Sequence, residues 1–129
     1  MPRAVIKPGQ VVRLKLPDSE PEPGRNKYCL CLCVEESLFF TINTKPYKFA
    51  PQETQLLLHK EQLPFLEYDS YLDASKVKQI PVDAVEEGLK HGGVFPVDES
   101  ALKHIRFIVS RQRYLAKRFL DILCNNFPE

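Results

Sequence analysis

Apolar and polar residues alternate from residue 10 to residue 16. Val12, Leu14 and Leu16 interleave with Val11, Arg13 and Lys15, which predicts a strand with one buried and one wet face. Pro8-Gly9 marks the turn into it. Two more apolar runs, residues 28–34 and 38–44, are strand length and rich in aromatic or thiol side chains. Only Glu35-Glu36-Ser37 separates them, so they predict a hairpin. Between the first strand and this hairpin, residues 17–26 hold three prolines, a glycine and three acids and read as an exposed loop. After Pro46 the pattern breaks into short pieces at residues 55–59, 63–68, 70–72 and 77–80, with Asp73-Ala74-Ser75-Lys76 suited to one helical turn. Many short strands joined by turn residues favour a small barrel or sandwich.

From Pro81 the period changes. Residues 82–90 read as a helix ended by His91-Gly92-Gly93. Asp98 then caps a long helix whose apolar positions, Leu102, Ile105, Ile108, Val109, Leu115, Phe119, Ile122 and Leu123, step mainly by three and four and form one stripe. At about 25 residues it spans roughly 37 Å, more than the width of a small barrel, which points to packing on a second subunit and hence a homodimer. The class expected is mainly β (α+β): one domain over residues 1–129, with a barrel at about 8–80 and a helical part at about 81–124.

Composition adds little to this until it is resolved along the chain. With 129 residues, 43% hydrophobic and 27% charged, the chain fits one globular domain with a modest core. The formal net charge is +1, but residues 100–123 hold Lys103, Arg106, Arg111, Arg113, Lys117 and Arg118 against Asp121 alone. That asymmetry predicts a basic helix face. Solvation alone accounts for such a face; so does contact with RNA or an acidic partner. No run reaches the roughly 20 apolar residues of a membrane span, and the N-terminus lacks the apolar centre of a signal peptide, so a cytoplasmic location without membrane contact is expected. Cys29, Cys31 and Cys33 alternate on one strand and lack the spacing of a zinc knuckle; with Cys124 they read as small buried hydrophobes. Neither a metal nor a cofactor is expected. His59, His91 and His104 are scattered, and Glu67, Asp69 and Asp73 read as a solvated acidic turn.

Candidate chemistry gathers at the ends of the hairpin. Arg25 and Lys27 stand before its first strand, Lys45 and Lys48 after its second. Antiparallel pairing brings those ends together, with Thr44 beside the cations. Lys45, Tyr47, Lys48 and Phe49 form a basic-aromatic cluster. Bases of single-stranded RNA stack on such rings while the cations take phosphates, although tyrosine and phenylalanine here also suit a core.

Together these segments resemble the MazF/PemK-like toxin family. Pro8-Gly9-Gln10-Val11-Val12 is similar to that family's opening strand. The acidic loop ending in Gly24-Arg25-Asn26-Lys27, followed by the apolar strand, is similar to its basic-proline segment, with Tyr28 in place of the proline. Ile42-Asn43-Thr44-Lys45 matches its isoleucine-threonine-serine strand end, with Lys45 in place of the serine. Ser70-Tyr71-Leu72-Asp73, Ser75-Lys76-Val77 and Ile80-Pro81 match its later strand region, so the likeness spans most of residues 8–123. The resemblance implies a small SH3-like barrel of about five to seven strands with C-terminal helices. It implies metal-independent cleavage of single-stranded RNA within a toxin–antitoxin system, with an acidic antitoxin as partner. The family arginine corresponds to Arg25 or to Lys27; either would stabilise the phosphorane and protonate the leaving oxygen, Thr44 would bond a phosphate oxygen, and Glu20 or Glu22 would accept the proton. The alternative is a non-catalytic barrel of the same shape, from a mobile element or regulatory system, that binds protein or nucleic acid.

Overall fold

A computed structural model describes residues 6–16 and 24–129. The protein is a mixed α+β fold, and the described residues form six antiparallel strands in one open sheet and three helices. The strands are β1 (Val11–Leu16), β2 (Arg25–Cys33), β3 (Leu38–Asn43), β4 (Gln55–Leu58), β5 (Ser70–Gln79) and β6 (Val94–Phe95), ordered β4-β5-β3-β2-β1-β6. The helices are α1 (Val82–Gly92), α2 (Glu99–Gln112) and α3 (Lys117–Asn126).

The central hairpin forms as its pattern predicts, with Tyr28 opposite Ile42 and Leu30 opposite Phe40. Its apolar runs fill both faces of the sheet. On one face Leu30, Leu32, Phe40, Ile42 and Leu72 pack with Ile105, Val109, Leu115 and Leu123 of the C-terminal part. On the other Val12, Leu14, Leu16, Cys29, Cys31 and Phe39 pack with Val85 of α1. Helices therefore cover the sheet on two sides, the arrangement that fully apolar strands require.

Two departures from the alternation come from bulges. The β2–β3 register shifts between Cys31 and Cys33, so Cys33 joins the core under α2 and α3 while Cys29 and Cys31 lie under α1. The three thiols thus do not share one face. Burial pushes the Cys29 and Cys31 thiols up to about 12, which leaves them protonated hydrophobes. The second bulge lies between β3 and β5, where Phe39 pairs with Lys78 but Thr41 pairs with Asp73. Residues 73–76 are therefore not a helical turn. They are the bulged middle of one ten-residue strand, held by the Asp73 carboxylate, which accepts from the Ser75 amide at 3.0 Å. The same Asp-x-Ser pattern that caps helices here satisfies an amide freed by the bulge.

The long C-terminal helix is two helices. Asp98 caps the first, accepting from the Ala101 amide at 3.3 Å. Arg113 ends it in the left-handed conformation, φ 57°. Gln112 donates to the Glu53 carbonyl and Tyr114 to the Glu53 carboxylate, while Leu115 turns into the core. These contacts impose a break that neither glycine nor proline announces. With helices of 14 and 10 residues, the length argument for a second subunit lapses.

Helix α1 lies close on β1 because Gly88 lets it. A Cβ added there would sit 2.4 Å from Leu14 Cδ2 and 2.7 Å from the Arg13 carbonyl oxygen. Alanine would gain about 1 kcal/mol of helix propensity, but forcing a methyl against backbone costs about 1–3 kcal/mol. Gly88→Ala is expected to lower the urea midpoint. An unchanged or higher midpoint would place α1 further from the sheet than this packing requires.

Candidate functional site

The open end of the hairpin is one wall of a groove of about 770 Å³. Arg25, Lys27, Thr44, Lys45, Tyr47 and Lys48, all expected from the sequence, line it. Antiparallel register explains the meeting: Tyr28 opposite Ile42 leaves Lys27 beside Asn43, and Lys27 Nζ donates to Asn43 Oδ1 at 2.8 Å. Arg25 and Thr44 are exposed at the neighbouring strand ends. Glu20 and Glu22 lie outside the described residues.

Lys27 is half-buried among cations. Burial pushes its ammonium below the ordinary lysine range, and Lys78 and Arg25 nearby push it further the same way. Lys76 and Lys78, both from β5, add to the positive charge that acts on Lys27.

Aromatic rings stand among these charges. Tyr47 and Phe49 meet edge-on at 5.6 Å, with Lys76 Nζ 4.9 Å from the Tyr47 ring and Lys48 Nζ 5.0 Å from the Phe49 ring. Phe49 is 74% exposed, so a core role does not apply to it. Tyr68 is exposed on the groove, and Tyr28 forms its inner wall, with its hydroxyl donating to the Phe65 carbonyl at 3.2 Å. A groove with cations and accessible ring faces suits a flexible polyanion carrying flat bases.

A buried polar network fixes the segment that carries Tyr47. Gln55 Oε1 accepts from the Tyr47 amide at 2.9 Å, and Gln55 Nε2 donates to Asp73 Oδ1 at 2.8 Å and to Thr54 Oγ1 at 3.1 Å. Asp73 is only 2% exposed, so it does not belong to a solvated acidic turn. Thr41 and Asp73 line the groove but carry no motif that marks them as groove residues. The available signal was an aspartate set between apolar Leu72 and Ala74, which is costly unless its carboxylate is bonded.

The basic helices differ from the groove. Lys103 pairs with Glu99 at 3.5 Å, Arg106 with Glu129 at 3.3 Å, Lys117 with Asp121 at 2.9 Å and Arg118 with Glu36. Arg106 also donates to the Phe127 carbonyl at 3.0 Å. Most of their charge is matched within the chain, which weakens any field they offer a polyanion. Among the described residues no group of three or more His, Cys, Asp or Glu side chains is placed to hold a metal ion, and no helix is long and apolar enough to cross a membrane. No family model matches the chain, and no curated protein matches it. The likeness to MazF/PemK-like proteins rests on the short motifs between residues 8 and 123.

Proposed function

We propose that the groove binds single-stranded RNA and that the chain cleaves it without a metal, as a toxin-like endoribonuclease of a cytoplasmic toxin–antitoxin pair. The observation that carries this reading is the meeting of Arg25, Lys27, Thr44, Lys45, Tyr47 and Lys48 on one open groove. The ribose 2′-oxygen attacks the adjacent phosphorus, the bond from phosphorus to the 5′-oxygen breaks, and a 2′,3′-cyclic phosphate remains. Arg25 and Lys27 offset the charge that grows on the phosphorane, and the Thr44 hydroxyl donates to a non-bridging oxygen. Lys27, its proton loosened by burial and neighbouring charge, protonates the departing 5′-oxygen. Glu67, exposed on the groove wall, accepts the 2′-hydroxyl proton. An acidic antitoxin segment would check the enzyme by taking the same cations.

The test is digestion of single-stranded RNA in excess chelator, with the ends mapped. Fragments carrying a 2′,3′-cyclic phosphate and a 5′-hydroxyl are expected. RNA that is bound but left intact would instead favour the non-catalytic binding module, to which Lys45 in place of the family serine already points.

The proton role gives a pH signature. Lys27 donates only while protonated, so cleavage should persist below its lowered pKa and fall as pH rises through it, earlier than an ordinary lysine would allow. Arginine holds its proton throughout this range. Lys27→Arg should therefore retain positive charge and lose that alkaline fall at a reduced rate. The same alkaline limb in both proteins would remove Lys27 as donor.

A further inference from the structure

We propose that Thr41 and Asp73 form a base-reading floor of the groove that prefers an amine-bearing nucleobase, cytosine or adenine, over uracil. This deepens the RNA reading and rests on it. Thr41 and Asp73 face each other across β3 and β5, and both line the groove. They are 5% and 2% exposed. Asp73 takes three hydrogen bonds, from Gln55 Nε2, the Ser75 amide and the Ser75 hydroxyl, all on Oδ1. No fully buried side-chain oxygen or nitrogen among the described residues lacks a partner. Asp73 Oδ2 and the Thr41 hydroxyl take no part in those bonds, so neither atom is fully sealed from solvent, and both residues border the groove.

A carboxylate so deeply set gains most from a donor that comes to it. Three bonds on one oxygen hold the bulge and the Tyr47 segment. The other oxygen is left for a ligand. Cytosine and adenine each present an exocyclic amine beside a ring-nitrogen acceptor. The amine donates to Asp73 Oδ2, and the ring nitrogen accepts from the Thr41 hydroxyl. In uracil the only Watson–Crick N–H lies between two carbonyls; when one accepts from the Thr41 hydroxyl, the lone pairs of the other are left beside the carboxylate, which weakens the contact.

Fluorescent oligodeoxycytidylate, oligodeoxyadenylate and oligodeoxyuridylate, titrated at one low salt concentration, test this. A deoxy backbone lacks the attacking hydroxyl, so binding is read apart from cleavage. The cytosine and adenine strands should bind about tenfold more tightly than the uracil strand, the discrimination of one good base contact. Asp73→Asn keeps an acceptor for Gln55 and Ser75 and presents an amide donor to the groove, so the preference should vanish or reverse. Equal affinity for the three strands, or an unchanged preference in Asp73→Asn, overturns the base-reading floor. Should Asp73→Asn fail to fold by circular dichroism, Thr41→Val, of the same shape, decides: a narrowed preference supports the proposal and an unchanged one overturns it. Equal binding that disappears in the Arg25→Ala/Lys27→Ala variant sinks the floor alone. Binding of no strand sinks the floor together with the RNA groove.

Discussion

Phe39→Ala and Phe40→Ala are each expected to destabilise the protein by about 3–5 kcal/mol, the range for emptying a buried phenylalanine site. The two residues are adjacent on β3 and point in opposite directions. One packs under α1, the other under α2 and α3, and they are 1% and 0% exposed. A sheet with one wet face would lose that much at only one of the two positions. Urea unfolding followed by circular dichroism measures both. A mild loss at either, under about 1 kcal/mol as at surface sites, would show that one helical layer does not cover the sheet. Domains of this size have about 5–15 kcal/mol in total, so either variant approaches the limit of folding and the pair together should not fold.

The second large effect belongs to the groove. Arg25→Ala with Lys27→Ala should remove about 3 kcal/mol of transition-state stabilisation, on the order of a hundredfold in kcat/KM. Urea unfolding separates this from any loss of stability, since Lys27 also donates to Asn43 Oδ1 at 2.8 Å. Binding gives an independent sign: for each cation that no longer meets a phosphate, the slope of log affinity against log salt should flatten by about 0.7 for a single strand. Replacing Arg111 and Arg118 on the helices should leave both quantities nearly unchanged. A double groove variant that cleaves and binds like the parent would end the nuclease reading. A comparable loss from the helix variant would move the site to the other side of the molecule.

Elements whose signals are local were legible. The β2–β3 hairpin follows from two apolar runs around Glu35-Glu36-Ser37, α1 from its period and the glycines after it, and the start of α2 from Asp98. The groove residues on the hairpin were legible for the same reason, since antiparallel register alone brings Lys27 to Asn43 and puts Thr44 nearby. What failed to show depends on distant partners. The break at Arg113 is set by Glu53, some 60 positions away along the chain, reached by Gln112 and Tyr114. Residues 70–79 looked like separate pieces because a bulge interrupts their alternation, and a bulge is chosen by the strand opposite. Strand β6, Val94–Phe95, is too short to carry any period and exists through pairing with Val11 and Val12. Asp73 and Thr41 sit in apolar strands, and their place on the groove floor emerges only once β3 and β5 are side by side.

The most direct measurement is a titration of isotope-labelled protein with an oligodeoxynucleotide, followed by amide NMR shifts. Shifts should concentrate at Lys27, Asn43, Thr44, Tyr47 and Lys48, with Thr41 and Asp73 joining them for a cytosine strand. Shifts confined to α2 and α3, or none at saturating strand, would contradict the assignment of function to this groove.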